Sequence, residues 1–85
     1  MKIIFAPVFM KQFRALEDEL REEVRIKIEL FKNPINHERL KVHKLHGKLQ
    51  GCYSFSVNYR FRVVFEYVSK NEVAMLYTGD HDIYG

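Results

Sequence analysis

Tyr53-Ser-Phe-Ser-Val-Asn-Tyr-Arg-Phe-Arg-Val-Val-Phe-Glu-Tyr-Val68 is the stretch on which the fold turns. Tyr53, Phe55 and Val57 alternate with Ser54, Ser56 and Asn58. Further on, Phe61, Val63, Phe65 and Tyr67 alternate with Arg62, Val64, Glu66 and Val68. A period of two with aromatic and β-branched residues predicts two strands, each with one covered face. Ser69-Lys70-Asn71 reads as a turn, and residues 72–78, Glu-Val-Ala-Met-Leu-Tyr-Thr, as a last strand closed by Gly79. Three strands joined by short turns make an antiparallel meander.

Upstream the period changes. Lys2-Ile-Ile-Phe5 predicts a short strand, stopped before Pro7, which suits the first turn of a helix. Phe9, Phe13, Leu16 and Leu20 then recur at helical spacing and predict a helix over about residues 7–19. Leu20, Val24, Ile28 and Phe31 continue a helical stripe to Asn33-Pro34, which ends it. The acidic cluster Glu17-Asp18-Glu19 suits a fresh helix N-terminus. Two helices in an antiparallel hairpin are therefore expected rather than one long rod. Residues 33–51 read as a polar loop, with Gly47 and Gly51 as turn positions. The class is α+β: an N-terminal strand, then a helical hairpin packed on an antiparallel sheet.

Eighty-five residues leave room for one core, so residues 1–85 are expected to form a single domain. A hydrophobic share of 47% at a net charge of only +3 argues against disorder. No apolar run approaches the ~20 residues of a spanning helix, and the N-terminus is too soon broken by proline for a signal peptide. No membrane partner is expected, and a cytoplasmic location is the default. One cysteine, Cys52, excludes an internal disulfide and any multi-cysteine zinc site. The charge is uneven. No carboxylate occurs between Arg39 and Phe65, a span that holds Lys41, Lys44, Lys48, Arg60 and Arg62 together with His43 and His46. Such a window fits a surface facing an anion, nucleic acid being the commonest, or equally a solvated basic face.

Arg62 sits mid-strand between apolar residues and must point away from the covered face. It is suited either to fork onto a phosphate or to pair with Glu66 or a tail aspartate. Arg60 lies nearer the turn. His81, in Gly79-Asp-His-Asp-Ile-Tyr84, is flanked by aspartates that favour its protonated form; it reads as a general acid or as an exposed tail histidine. Tyr84 either docks the tail or stacks on a base. His37, His43, His46 and His81 have no compact zinc spacing, so no metal and no cofactor are expected.

Three segments then carry a resemblance. His43-Lys-Leu-His-Gly47-Lys-Leu-Gln-Gly51-Cys-Tyr53, Val57-Asn-Tyr-Arg-Phe-Arg62-Val-Val-Phe65 and Thr78-Gly-Asp-His81-Asp-Ile-Tyr84 closely resemble the RelE/ParE superfamily of toxins from bacterial type II toxin-antitoxin modules. The likeness is greatest to the RelE and YafQ branches. The resemblance spans essentially the whole chain and implies a ribosome-dependent endonuclease that cuts messenger RNA without a metal. It matches Arg62 to the arginine that contacts the scissile phosphate, His81 to a tail position serving as acid or charge stabiliser, His43 to a loop histidine of the YafQ branch and Tyr84 to the aromatic that orients the nucleotide; the chemistry then assigns His81 as general acid and His43 as general base. Lys44, Lys48 and Arg60 would then meet phosphates or ribosomal RNA. The implied partners are a cognate antitoxin, the ribosome and messenger RNA. The sequence departs from RelE at Ser54 and Ser56, where RelE carries lysines. A ParE-like gyrase inhibitor and a non-catalytic basic module are the rival functions on the same fold. Nothing sets an oligomeric state.

Overall fold

A computed structural model of the chain describes residues 1–80. Seven regular elements follow one another: β1 (Lys2–Phe5), α1 (Pro7–Arg14), α2 (Asp18–Phe31), β2 (His43–Lys44), β3 (Tyr53–Ser56), β4 (Phe61–Ser69) and β5 (Glu72–Asp80). Short 3-10 turns occupy Pro34–Asn36 and Gly47–Leu49. The strands form one sheet in the order β1-β5-β4-β3-β2. The meander β3-β4-β5 is antiparallel, as the period-two pattern predicts, and β1 joins the far edge of β5 in parallel.

Both helices lie on one face of this sheet. Phe9 of α1 and Val24, Ile28 and Phe31 of α2 share a buried cluster with Phe55, Val63, Phe65, Val73 and Met75 of the strands. Phe31 is at its centre. Its ring stacks on Phe55 at 4.9 Å and on His37 at 4.6 Å, and meets the edge of Phe65 at 4.7 Å. His37 also hydrogen-bonds through Nε2 to the Phe31 main-chain oxygen (2.8 Å), satisfying a carbonyl at the end of α2. His37 is thereby a packing residue.

The first helix is shorter than its apolar spacing predicts. It ends at Arg14, and Glu17 is extended (φ −68°, ψ 159°) before α2 starts at Asp18. Phe13 at the end of α1 and Leu16 within the break still pack against the core. No glycine or proline causes it. Instead Arg21 folds back and donates from Nη1 to the carbonyl oxygens of Arg14 and Leu16, both at 3.1 Å. Its other amino group pairs with Asp18. These bonds satisfy carbonyls that a continuous helix would have paired internally.

Register explains the edges. β1 covers β5 only from Glu72 to Met75. Beyond it, the Thr78 amide of β5 donates to Gln12 Oε1 of α1 at 2.8 Å, so a side chain replaces the missing strand. At the other edge, His43 and Lys44 pair with Ser54 and Tyr53. The segment expected to be loop therefore contains a two-residue edge strand, too short to carry any periodic signal.

Gly51 has φ +93° with open space where a Cβ would lie. Gly51→Ala should therefore cost about 1–2 kcal/mol through backbone strain alone. Thermal unfolding by circular dichroism would check this, and an unchanged midpoint would show that the turn relaxes.

Candidate functional site

The face of the sheet away from the helices holds the candidate site. The pairings His43–Ser54, Ser54–Val64 and Val64–Tyr77 place four residues in one row across β2, β3, β4 and β5. The neighbouring row on the same face is Ser56–Arg62–Gly79. Ser54 and Val64 are fully buried at the centre of this face, whereas His43 is exposed and Arg62 half-buried at its margins. His43 and Arg62 lie two strands and one row apart, roughly 12 Å between backbone positions at normal strand spacing and rise. Gly79, the cross-strand partner of Arg62, carries no side chain to crowd it.

Arg62 is held at one end. Its Nη1 donates to the main-chain oxygens of Asn58 (2.5 Å) and Phe61 (3.0 Å). A guanidinium has five N–H groups, so both Nη1 hydrogens are used and the Nε–Nη2 edge keeps three. Among the described residues no bond is made from that edge, and no ion pair joins Arg62 to Glu66. The Nε–Nη2 edge is the fork that matches two phosphate oxygens.

The carbonyls that hold Arg62 belong to a tight turn between β3 and β4. Asn58 Oδ1 accepts from the amides of Arg60 and Phe61, each at 2.8 Å. Asn58 Nδ2 donates to Glu23 Oε1 of α2, also at 2.8 Å. Neither Asn58 nor Glu23 is singled out by the sequence reading. The Asn-Tyr-Arg run before a strand is a signal for a side-chain-capped turn, whereas nothing in the sequence links residue 58 to residue 23.

His43 is set by a second backbone feature. Lys41 has φ +60°, the only positive φ of a non-glycine residue among the described residues. Its carbonyl oxygen lies 2.8 Å from His43 Nδ1. A carbonyl oxygen only accepts, so Nδ1 carries the hydrogen and the neutral ring has its lone pair on Nε2. That Nε2 is 3.4 Å from Ser54 Oγ, a long contact that a substrate hydroxyl can displace.

The remaining predicted residues are scattered. Lys44 has the opposite parity from His43 and lines a cleft of about 370 Å³ with His46, Gln50 and Cys52. Lys48 is exposed on the Gly47–Leu49 turn. Arg60 is exposed at the mouth of a different groove, about 590 Å³, lined by Glu17, Glu19, Glu22 and Glu23. His81 and Tyr84 lie outside the described residues. Burial, with a smaller push from the Glu66 carboxylate, raises the Cys52 thiol above its usual range, which suits a packing residue and not a nucleophile. Among the described residues no three metal-ligating side chains come together, and no helix is long and apolar enough to cross a membrane.

Solved structures share this architecture. YafQ from E. coli strain BL21(DE3) matches with a TM-score of 0.77 at 15% identity, over 99% of this chain and 98% of that one. The conserved protein HP0894 from Helicobacter pylori matches with a TM-score of 0.75 at 21% identity, over 96% of both chains. A chain of the YoeB-YefM complex from Staphylococcus aureus matches with a TM-score of 0.74 at 19% identity, over 95% and 97%. Two helices on one face of a five-stranded mixed sheet define a RelE-like toxin fold. The chain itself belongs to the HigB-like toxin family, RelE-like toxins of type II toxin-antitoxin systems, whose family model matches residues 9–81. A comparison with curated proteins gives no match.

Proposed function

We propose that this toxin is a ribosome-dependent messenger RNA endonuclease whose chemistry is carried by side chains on the sheet face away from the helices. The observation that carries this reading is Arg62: one end of its guanidinium is anchored on main-chain oxygens, and its remaining fork shares a face with His43. In the proposed reaction the ribose 2′-hydroxyl attacks the adjacent phosphorus. His43 Nε2 takes the hydroxyl proton after displacing the Ser54 contact. Arg62 stabilises the charge that builds on the phosphate oxygens. His81 gives a proton to the leaving 5′-oxygen, and Tyr84 orients the nucleotide. The bond from phosphorus to the 2′-oxygen forms, the bond to the 5′-oxygen breaks, and the products are a cyclic phosphate and a 5′-hydroxyl. No step requires a metal ion.

The ribosome enters because this face presents few groups that could hold RNA in line. Lys44 and Arg60 lie elsewhere, so positioning falls to the decoding site, with exposed Lys48 as a contact to ribosomal RNA. Family membership and the likeness to a chain of the YoeB-YefM complex support a cognate antitoxin as the physiological partner.

Single-turnover cleavage of messenger RNA on programmed ribosomes tests this reading, run beside a gyrase supercoiling assay. The native toxin should cut on ribosomes and barely cut naked RNA. His81→Gln should slow cleavage by about 10²-fold, the low end for loss of a general acid, while leaving the fold intact. Gyrase inhibition with intact transcripts would overturn the nuclease reading, and normal cleavage by His81→Gln would remove that residue from the mechanism.

A further inference from the structure

We propose that Asn58 is a positioning residue for Arg62, and that Glu23 of α2 locks it from behind. The proposal rests on the reading of Arg62 as the phosphate contact and extends it to residues that never meet the substrate. Every polar group of the Asn58 side chain is used. Oδ1 takes two amides of the turn, and Nδ2 gives its bond to Glu23, which is 35 residues away in sequence. The turn so fixed directs the main-chain oxygens of Asn58 and Phe61 at Nη1 of Arg62.

The arrangement matters because of what an arginine otherwise does. A long side chain on an open face samples many rotamers, and ordering it must be offset during binding. Here the ordering is completed on folding. The two oxygens hold one end of a planar group, and planarity then fixes the direction of the Nε–Nη2 fork. Carbonyls on a loose turn could not do this, because a tilt of the turn would carry the oxygens with it. Asn58 prevents the tilt within the turn, and Glu23 ties the turn to α2, whose Val24, Ile28 and Phe31 are buried in the core. The rigidity of the core is thereby passed to a group on the opposite face of the sheet.

Other polar residues of the region do not serve in this way. Ser56 is cross-strand partner of Arg62 but makes no side-chain bond to it among the described residues. Thr78 Oγ1 donates to the Arg62 main-chain oxygen (3.2 Å), which fixes the strand and not the guanidinium.

The test uses the full chain labelled with 15N in its arginines. In the native protein the two Nη groups of Arg62 should give separate signals, because anchoring at Nη1 slows rotation about the Nε–Cζ and Cζ–Nη bonds. Asn58→Ala should average them. Asn58→Asp keeps the turn cap but sets a carboxylate against Glu23, and should also average them. Adding Glu23→Gln to Asn58→Asp supplies that carboxylate with a donor and should restore the separate signals. This exchange of donor and acceptor keeps the test valid even where Asn58→Ala fails to fold.

Cleavage on programmed ribosomes gives a second readout. Asn58→Ala should lower kcat about ten-fold or more, as misplacement of a positioned group does. In an Arg62→Lys background, which lacks Nη1, the same change should add no further loss. Unaltered Arg62 signals in Asn58→Ala, no recovery in the double exchange, or an equal additional loss in the Arg62→Lys background would each overturn the proposal. A native protein that shows the predicted spectra yet cuts nothing would instead overturn the nuclease reading and leave the positioning of Arg62 supported.

Discussion

Arg62→Ala is expected to slow messenger RNA cleavage on ribosomes by ~10²–10³-fold, the usual consequence of losing a preorganised donor to a developing anion. Growth arrest on induction should disappear with it. The size follows from where the charge acts. In the proposed reaction the phosphate oxygens gain negative charge in the transition state, and a fork held in place beforehand would stabilise that state more than the ground state. The protein should remain folded. Arg62 is only partly buried, and the carbonyls it leaves are not orphaned equally: Phe61 still accepts from the Val57 amide at 2.9 Å. The loss of two bonds to neutral oxygens is worth about 1–3 kcal/mol, part of which water at this half-exposed position returns. Arg62→Lys should fall between native and alanine, since it keeps the charge but presents no planar fork. Single-turnover rates measured with thermal melts of the same samples check both parts. Full cleavage by Arg62→Ala in a folded protein would remove this sheet face as the site.

Phe31→Ala should cost about 3–5 kcal/mol, a large share of the roughly 5–10 kcal/mol available to a domain of this size. The ring has no exposure and contacts rings from three different elements of the chain, so its removal leaves a cavity that no single neighbour can fill. The midpoint of thermal unfolding should drop by about 15–30 °C, and at physiological temperature much of the protein should be unfolded. Phe31→Leu retains most of the volume and should cost about 1–2 kcal/mol. Urea titrations followed by circular dichroism distinguish the two. A loss under 1 kcal/mol for Phe31→Ala would mean that the core repacks around the space. The consequence for function is direct, because α2 carries Glu23 to the turn that holds Arg62. Loosening α2 should blur the site before the sheet itself melts.

These two residues also mark how far the chain can be read without its structure. Phe31 is visible as an apolar position on a helical stripe, and Arg62 as a charge on a period-two strand. Alternation puts Val63 and Phe65 on one face and Arg62 on the other, and the register bears this out. The turn at residues 69–71 and the start of the last strand are legible for the same reason, whereas Gly79 does not close that strand, which runs on to Asp80 because Arg62 and Phe61 pair with it. Where periodicity is short or broken, the sequence carries less. The end of α1 depends on Arg21 reaching back to carbonyls five and seven residues earlier, and the edge strand β2 exists only because β3 lies beside it. Basic residues close in sequence also part company: Lys44 faces away from His43, and Arg60 stands over a groove lined by glutamates.

The sequence by itself determined the α+β class, the core stripes and the placement of Arg62 on the sheet face away from them. Those features follow from local rules of alternation, helical spacing and turn chemistry, which act over a few residues. Only the tertiary structure decided that β1 runs parallel to β5, that His43 and Arg62 share a face across two strands, and that Glu23 reaches Asn58. Each of these depends on strand register or on contact between segments tens of residues apart, and hydrophobic pattern does not encode such distances. The position of the guanidinium fork belongs to this second group, because two carbonyl oxygens direct it and their placement is a property of the folded turn.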